Sequence, residues 1–346
     1  MNRPRGRARA TVAALLALLA AALPASARQP DDESGWLQKP NVGYGPFRQT
    51  SLSPFSSLRM PLSPFFPTSF PAGAFELHVQ SEWGKDLTAT NYWEIDYEVV
   101  ASDVSFSWGL SDHFRVELEI VSGERTGGGL DALIIGFHDT FGLALGPRTR
   151  FPRNDYRFNV TPPGGGPPVR VDREDPQPFV ESALLSFQHA VTFGNNLLPA
   201  ISYAVAFRAK LGGGGDLEEA TPVDLAASLS ASKDLSSGFR LYAGAIAAWY
   251  GRDNFFGIRL RTWQWSGTTA LEWNCLPGFS LVAQYLVTAG AVDGLRDFSR
   301  PSNEVAGGFK WELGPGILFE AALIENILNF KNSPDLGFHA GLTIRW

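Results

Sequence analysis

The chain has 346 residues with 29 basic and 35 acidic side chains, a formal net charge of −6. Charged residues make up only 18 %, below the usual quarter of a soluble domain, while 10 Trp and 25 Phe make it aromatic. The acidic balance argues against nucleic acid as a partner, and a single cysteine, Cys275, excludes an internal disulfide.

Arg3, Arg5, Arg7 and Arg9 form a basic start, followed by an apolar stretch at 12–23 and then Ala25-Ser26-Ala27, a small-x-small cleavage pattern. Residues 1–27 therefore read as a secretory signal peptide cut after Ala27. The apolar stretch is too short for a membrane anchor, and no later apolar run reaches the length of a membrane helix. Removing residues 1–27 takes away four arginines and no acid, leaving 25 basic against 35 acidic residues.

Residues 28–72 are rich in Pro and Phe and lack strand periodicity. The sequence LSPF occurs at 52–55 and again at 62–65. The segment reads either as an extended periplasmic lead-in or as a plug. A disordered tail is the bland alternative; Phe47, Phe55, Phe65, Phe66 and Phe70 favour docking on something.

From Phe75 the period becomes two. Phe75, Leu77, Val79 and Trp83 alternate with Glu76, His78, Gln80 and Glu82, the pattern of a strand with one apolar and one polar face. It returns at 104–108, 114–120, 183–193, 201–211, 223–231, 239–249, 263–273, 279–287, 305–311, 317–323 and 338–346. Tight connections fall at 110–113, 194–199, 233–238, 274–278 and 312–316. Long or Gly-rich ones fall at 84–91, 122–178, 212–222, 251–259, 289–302 and 326–337. The two kinds interleave if 92–109 is one long strand with a bulge near Ser102, which gives about twelve strands, an even count.

Short turns on one side and long loops on the other describe an all-β fold, an antiparallel transmembrane barrel of the outer membrane, over residues 73–346. Both termini then lie on the periplasmic side of a Gram-negative outer membrane. In lipid every backbone polar group needs an internal partner, so a sheet spans only as a closed barrel. The first and last strands must pair, and the chain can end in mid-strand. Phe338, Ala340, Leu342, Ile344 and Trp346 are expected to face lipid, with His339, Thr343 and Arg345 facing the lumen. Trp83, Trp93, Trp108, Trp249, Trp263, Trp265, Trp273, Trp311 and Trp346 sit near strand ends, as in aromatic girdles. A soluble β-sandwich would leave the turn asymmetry and the Trp346 terminus as coincidences. The terminal aromatic strand also resembles the signal that barrel-assembly machinery reads, with Trp346 as its last residue.

In the longest loop, Leu130, Leu133, Ile134, Phe137 and Phe141 follow a helical period, with Gly127–Gly129 before them and Gly142 after. A short helix is expected over 130–141, its apolar face capping the barrel mouth or lying on the outer leaflet.

The run Gly128-Gly129-Leu130-Asp131, then Phe137-His138-Asp139 and Phe141-Gly142-Leu143, resembles the hallmark of domain-of-unknown-function family 3187, a bacterial family expected in the outer membrane. The resemblance extends to the SPF at 53–55, to Ile324-Glu325-Asn326 and Asn329-Phe330, and from Ser333-Pro334-Asp335 to Phe338-His339. It implies the fold and the location. The family carries no established activity, so function stays open.

The inward face is polar and carries both signs. Arg115, Glu117, Glu119, Arg208, Lys210, Arg240, Glu320, His339 and Arg345 are the candidate lumen-lining residues. Opposed charges of this kind set selectivity in a water-filled pore; the bland alternative is a salt-bridged, filled interior. The loop motif Asp131, His138 and Asp139 is a second candidate site. Adjacent helical residues point about 100° apart, so His138 and Asp139 read more readily as loop anchors than as a catalytic dyad. The five histidines show no nucleophile signature nearby, and one Cys gives no zinc-ligand spacing, so no catalytic residue, metal or cofactor is assigned. The loop arginines, including Arg148, Arg150, Arg153 and Arg157, read as either anion-binding or simply solvated. The expected partners are outer-membrane lipid, the assembly machinery and a small solute, with oligomeric state open. The leading expectation is a passive, porin-like channel. The alternatives are an enzyme acting on lipid or peptide at the rim, or a structural surface barrel without transport.

Overall fold

The computed structural model describes residues 39–346 apart from 143–147, 149–150, 164, 173–176, 213–222, 237 and 329–330. The expected leader at 1–27 and the start of the segment after it lie outside the described residues.

Twelve long strands build the barrel: β1 (Phe75–Ala89), β2 (Trp93–Gly109), β3 (Phe114–Thr126), β4 (Gln177–Thr192), β5 (Ala200–Gly212) and β6 (Val223–Ser236), then β7 (Phe239–Tyr250), β8 (Trp263–Leu276), β9 (Phe279–Thr288), β10 (Ser302–Gly314), β11 (Ile317–Asn326) and β12 (Leu336–Arg345). Each pairs antiparallel with its sequence neighbour, and β1 pairs with both β2 and β12. The seam runs from Glu76 opposite Arg345 to Lys85 opposite Leu336. It is finished by Phe75 and Trp346, whose backbones exchange bonds of 2.9 and 3.0 Å. With the first and last strands paired, the sheet has no open edge, which is the condition for it to stand in lipid. No helix among the described residues is long and apolar enough to cross a membrane.

The pleat sorts the side chains. Outward positions carry exposed apolar groups such as Phe106, Leu118, Phe187, Val205, Leu225, Leu281 and Leu323, while the alternate positions are buried and mostly polar. Such an inside-out pattern suits an apolar solvent around the wall. Trp83, Trp108, Trp249, Trp263, Trp265, Trp273, Trp311 and Trp346 are exposed on the outer surface. Trp93 departs from the expected girdle. It is 3 % exposed and packs inside the mouth, 5.1 Å from Phe298.

Two other expectations need correction. The chain does not loop at 84–91; β1 continues to Ala89 and the turn to β2 is only a few residues long. No bulge occurs in β2 at Ser102, where it keeps register with both neighbours; the irregularity lies in the adjacent strand, between Val121 and Gly123 of β3 facing β4, around the Ser122 that pairs with Ser102. The long loop also holds a hairpin, Arg157–Val160 with Val169–Asp172, that extends the sheet from the far end of β2. A second small hairpin pairs Asn254–Phe255 with Ile258–Arg259.

The loop helix α1 (Asp131–Phe141) is present. It ends on Gly142, whose φ of 67° lies in the left-handed region that favours glycine. Leu130, at its start, has no side-chain cap of its own; its N–H donates instead to Glu98, a carboxylate from β2. Leu130 and Ile134 pack with Leu336, and Phe137 and Phe338 flank them. Leu336 and Phe338 share the outward parity of β12, so the helix lies against the outer wall over the seam and does not cap the mouth.

Candidate functional site

The lumen is occupied. Residues 39–72 enter at the short-turn end, rise toward the long-loop end and return. Seven prolines in this stretch remove backbone donors and disfavour a ladder, so its polar groups are met by side chains of the wall.

Asn41 fixes the entry. Its backbone takes up a left-handed φ of 60°, its side-chain amide donates to the carbonyls of Phe193, Asn195 and Leu198 at 3.1 Å each, and its own N–H donates to Asp234 at 3.0 Å. The rising limb then meets one wall strand after another. Tyr44 donates its hydroxyl to Glu312 at 2.9 Å, Phe47 its N–H to Gln284 at 2.9 Å, and Thr50 its hydroxyl to Glu82 at 2.9 Å. Arg48 reaches Glu117 at 3.1 Å and Glu76 at 3.3 Å. Ser51 donates to Glu304 at 2.7 Å and lies 3.1 Å from Ser302.

The tip carries the first LSPF. Leu52 and Phe55 sit in an apolar cluster with Trp93, Ile95, Tyr97 and Val99 of β2 and with Phe158, Phe255, Ile258 and Phe298 from the loops. The rings of Phe158, Phe255 and Phe298 surround Phe55 at 5.1 to 6.1 Å. Loops and tip thus form one roof across the long-loop end. Just below, Arg59 lies over the Tyr250 ring at 3.6 Å and donates to Gln264 at 3.0 Å.

The second LSPF lies on the returning limb, where Ser202 and Ser230 both donate to the carbonyl of Phe65, at 3.0 and 2.5 Å. Phe66 meets the ring of Tyr242 edge-on at 5.7 Å. Arg345 donates to the carbonyl of Ser69 at 2.8 Å before the chain turns into β1.

The candidate lumen residues fall into three groups. Arg115 and Arg345 converge on Glu76, at 3.3 and 2.5 Å, and Arg115 also reaches Glu117 at 3.0 Å. Glu320 joins Lys310 at 2.5 Å and His339 at 2.8 Å. Across the barrel Arg208 pairs with Asp224 at 2.8 Å, while Arg240 contacts Asp234 and lies 3.7 Å from Glu272. Lys210 is half-buried on the same inward parity, and Glu119 is half-buried with no ion pair among the described residues.

The loop motif stands elsewhere, on the outer wall. Asp131 is buried, lies 3.5 Å from Lys85 and accepts from Arg148 at 2.6 Å and from the N–H of Asn154 at 2.7 Å. Arg148 also reaches Asp335 at 2.6 Å, and Lys85 lies 2.6 Å from Asp96. Burial lifts the Asp335 carboxyl above its ordinary range against the pull of Arg148. His138 is buried and Asp139 exposed, so the two do not address one target. The resemblance residues at 128–131, His138 and 333–335 therefore gather around one buried charge network. Lys85, Asp96 and Glu98 belong to it and were not singled out from sequence; their only signal was charge on the outward parity of β1 and β2. Arg148, one of the loop arginines read from sequence as anion-binding or solvated, is instead buried and paired within it.

A closed barrel with an apolar outer wall and a polar interior is an outer-membrane β-barrel of porin-like build. The chain belongs to the family described as protein of unknown function (DUF3187), whose model matches residues 36–346. Among solved structures it is similar to the COG4313 outer membrane channel from Pseudomonas putida F1, with a TM-score of 0.51 at 13 % identity over 80 % of this chain and 97 % of that one. It is also similar to the NanC porin, with a TM-score of 0.45 at 7 % identity over 78 % of this chain and 98 % of the porin. No curated protein matches the sequence.

Proposed function

We propose that the protein is an outer-membrane channel for a small solute, closed in the state described by its own segment 39–72. The long loops face outward and the short turns face the periplasm, where the segment enters. One observation carries this reading. Behind the rising limb the wall stays polar along its length, from Glu312 and Glu272 through Gln284 and Glu82 to Glu304. A barrel interior serving only as a core is better served by apolar filling, because buried charges are costly to desolvate. Polar anchors can instead be exchanged for water when the segment moves, leaving a hydrated pore.

Purified protein lacking residues 39–72, refolded and inserted into planar bilayers, is expected to give a steady conductance larger than that of the full chain. Equal conductance from the two would overturn the proposal. A second reading, a surface barrel without transport, is favoured by the apolar roof around Phe55, which ties the tip to the loops. It predicts no solute flux through the full chain under any condition. The Trp346 strand serves as the assembly signal, and the exposed apolar wall contacts outer-membrane lipid.

A further inference from the structure

Between segment 39–72 and the wall lies a cavity of about 130 Å³. Its two sides differ in chemistry. Met60 and Phe65 of the returning limb, with Leu184, Ala206, Ala226 and Ile246 of the wall, make one side apolar. The other side is charged and comes from β1, β2, β3, β10, β11, β12 and the rising limb.

The charges on that side do not balance locally. Glu76 is met by Arg48, Arg115 and Arg345, and Glu320 by Lys310 and His339. Asp103 and Glu119 also line the cavity, both half-buried, and neither makes an ion pair among the described residues. They are diagonal neighbours on the inward face, since Asp103 lies opposite Val121 and Glu119 opposite Ser105. The guanidinium of Arg48 is spent on Ser105, Glu117 and Glu76. A further polar group is left open in the same lining: Ser69 is 2 % exposed and its hydroxyl finds no partner among the described residues.

We propose that this cavity binds a small organic cation with an apolar body, a protonated amine carrying one ring or a short chain. The ammonium would sit toward Asp103 and Glu119, supplying the countercharge they lack, with the Ser69 hydroxyl as a neutral acceptor in the same lining. The apolar body would lie against Met60, Phe65 and Ile246. The volume fits one ring, being close to the roughly 150 Å³ of an apolar cavity that accepts benzene. An anion is disfavoured, because Arg48, Arg115 and Arg345 would have to leave Glu76 to receive it. That this ligand is the transported solute rests on the channel reading; that it binds does not.

The test is calorimetric titration of the full chain in detergent with benzylammonium, benzyl alcohol and benzoate. Benzylammonium is expected to bind saturably, about tenfold more tightly than either of the others. The double variant Asp103→Asn with Glu119→Gln should weaken it by about tenfold, and Ala206→Phe, which fills the apolar side and keeps the charges, should abolish it. Heat-dependent gel mobility shows that each variant is folded. Absence of saturable binding, a preference for benzoate or benzyl alcohol, or wild-type affinity in the folded double variant would overturn the proposal. Bilayer recording separates it from the channel reading: binding without conductance removes only the channel, and conductance without binding removes only the site.

Discussion

Lys85 and Asp96 meet at 2.6 Å on the outside of the barrel, each with no more than 1 % of its side chain exposed. Both stand on the outward parity of their strands, a position that further along faces lipid. They can be charged there because α1 and its flanking loop cover them, and Asp131, Arg148 and Asp335 complete the network. Ions so enclosed are expensive to desolvate and tolerable only when each has its partner. The helix is therefore held to the seam by charges that need it as a cover.

Removing the central cation tests this. Lys85→Ala leaves Asp96 and Asp131 buried beside each other with one counterion fewer. The expected loss is about 3–5 kcal/mol, the usual cost of breaking a buried pair. Urea unfolding in detergent, followed by tryptophan fluorescence, measures it; an unchanged midpoint contradicts the network's role.

His138 and Asp139 separate the anchoring role from a catalytic one. Asp139→Ala should change stability by no more than about 0.5 kcal/mol, as for exposed sites in general. His138→Ala, which empties a buried polar position under the loop, should cost about 1–3 kcal/mol. Equal effects of the two on unfolding would contradict this division.

At Gly43 the segment passes close against the wall. A Cβ there would meet Arg240, Tyr242 and Glu272. Gly43→Ala is expected to dislodge the lower end of the rising limb at a cost of about 1–3 kcal/mol, the range for overpacking. Trypsin should then cut after Arg48 faster than in the wild type while the barrel stays intact on gels. Unchanged cleavage kinetics contradict the close fit.

Trp346 closes the seam by two backbone bonds to Phe75 and a ring contact at 6.2 Å. Deleting it should lower the fraction of chain that reaches the heat-modifiable folded form, and Trp346→Phe should restore most of it. Full folding of the deletion would show that the last residue is dispensable.

Much of the barrel was legible in the sequence because lipid imposes a period of two and closure imposes an even count. The terminal strand, with Leu342 and Ile344 alternating against Thr343 and Arg345, needs no other information. Side-chain polarity fails as a guide to facing where the wall rises past the membrane and loops cover both faces. There Trp93, with Ile95 and Tyr97, is apolar on the inward parity that Ser105 keeps lower down, whereas the other tryptophans of the expected girdle face out, and β1 ran on through Lys85 where the change of pattern at Gly84 suggested a loop. Besides Asp96, the partner of Lys85 is Asp131 from a distant stretch, and Asp131 is met in turn by Arg148, so no local spacing announces the network. The Pro-rich segment was ambiguous for a related reason. Its bonds go to wall side chains such as Glu82 and Gln284, and a chain that joins no ladder shows no period.

The central claim is that segment 39–72 must move for the pore to open. Ser51 and Ser302 have hydroxyls 3.1 Å apart, one on the segment and one on β10, so a disulfide there would tether the two. In a Cys275→Ser background, Ser51→Cys with Ser302→Cys should conduct in planar bilayers when reduced, fall silent when oxidised, and recover with reductant. Equal conductance in the oxidised and reduced states, or none in either, would contradict the account.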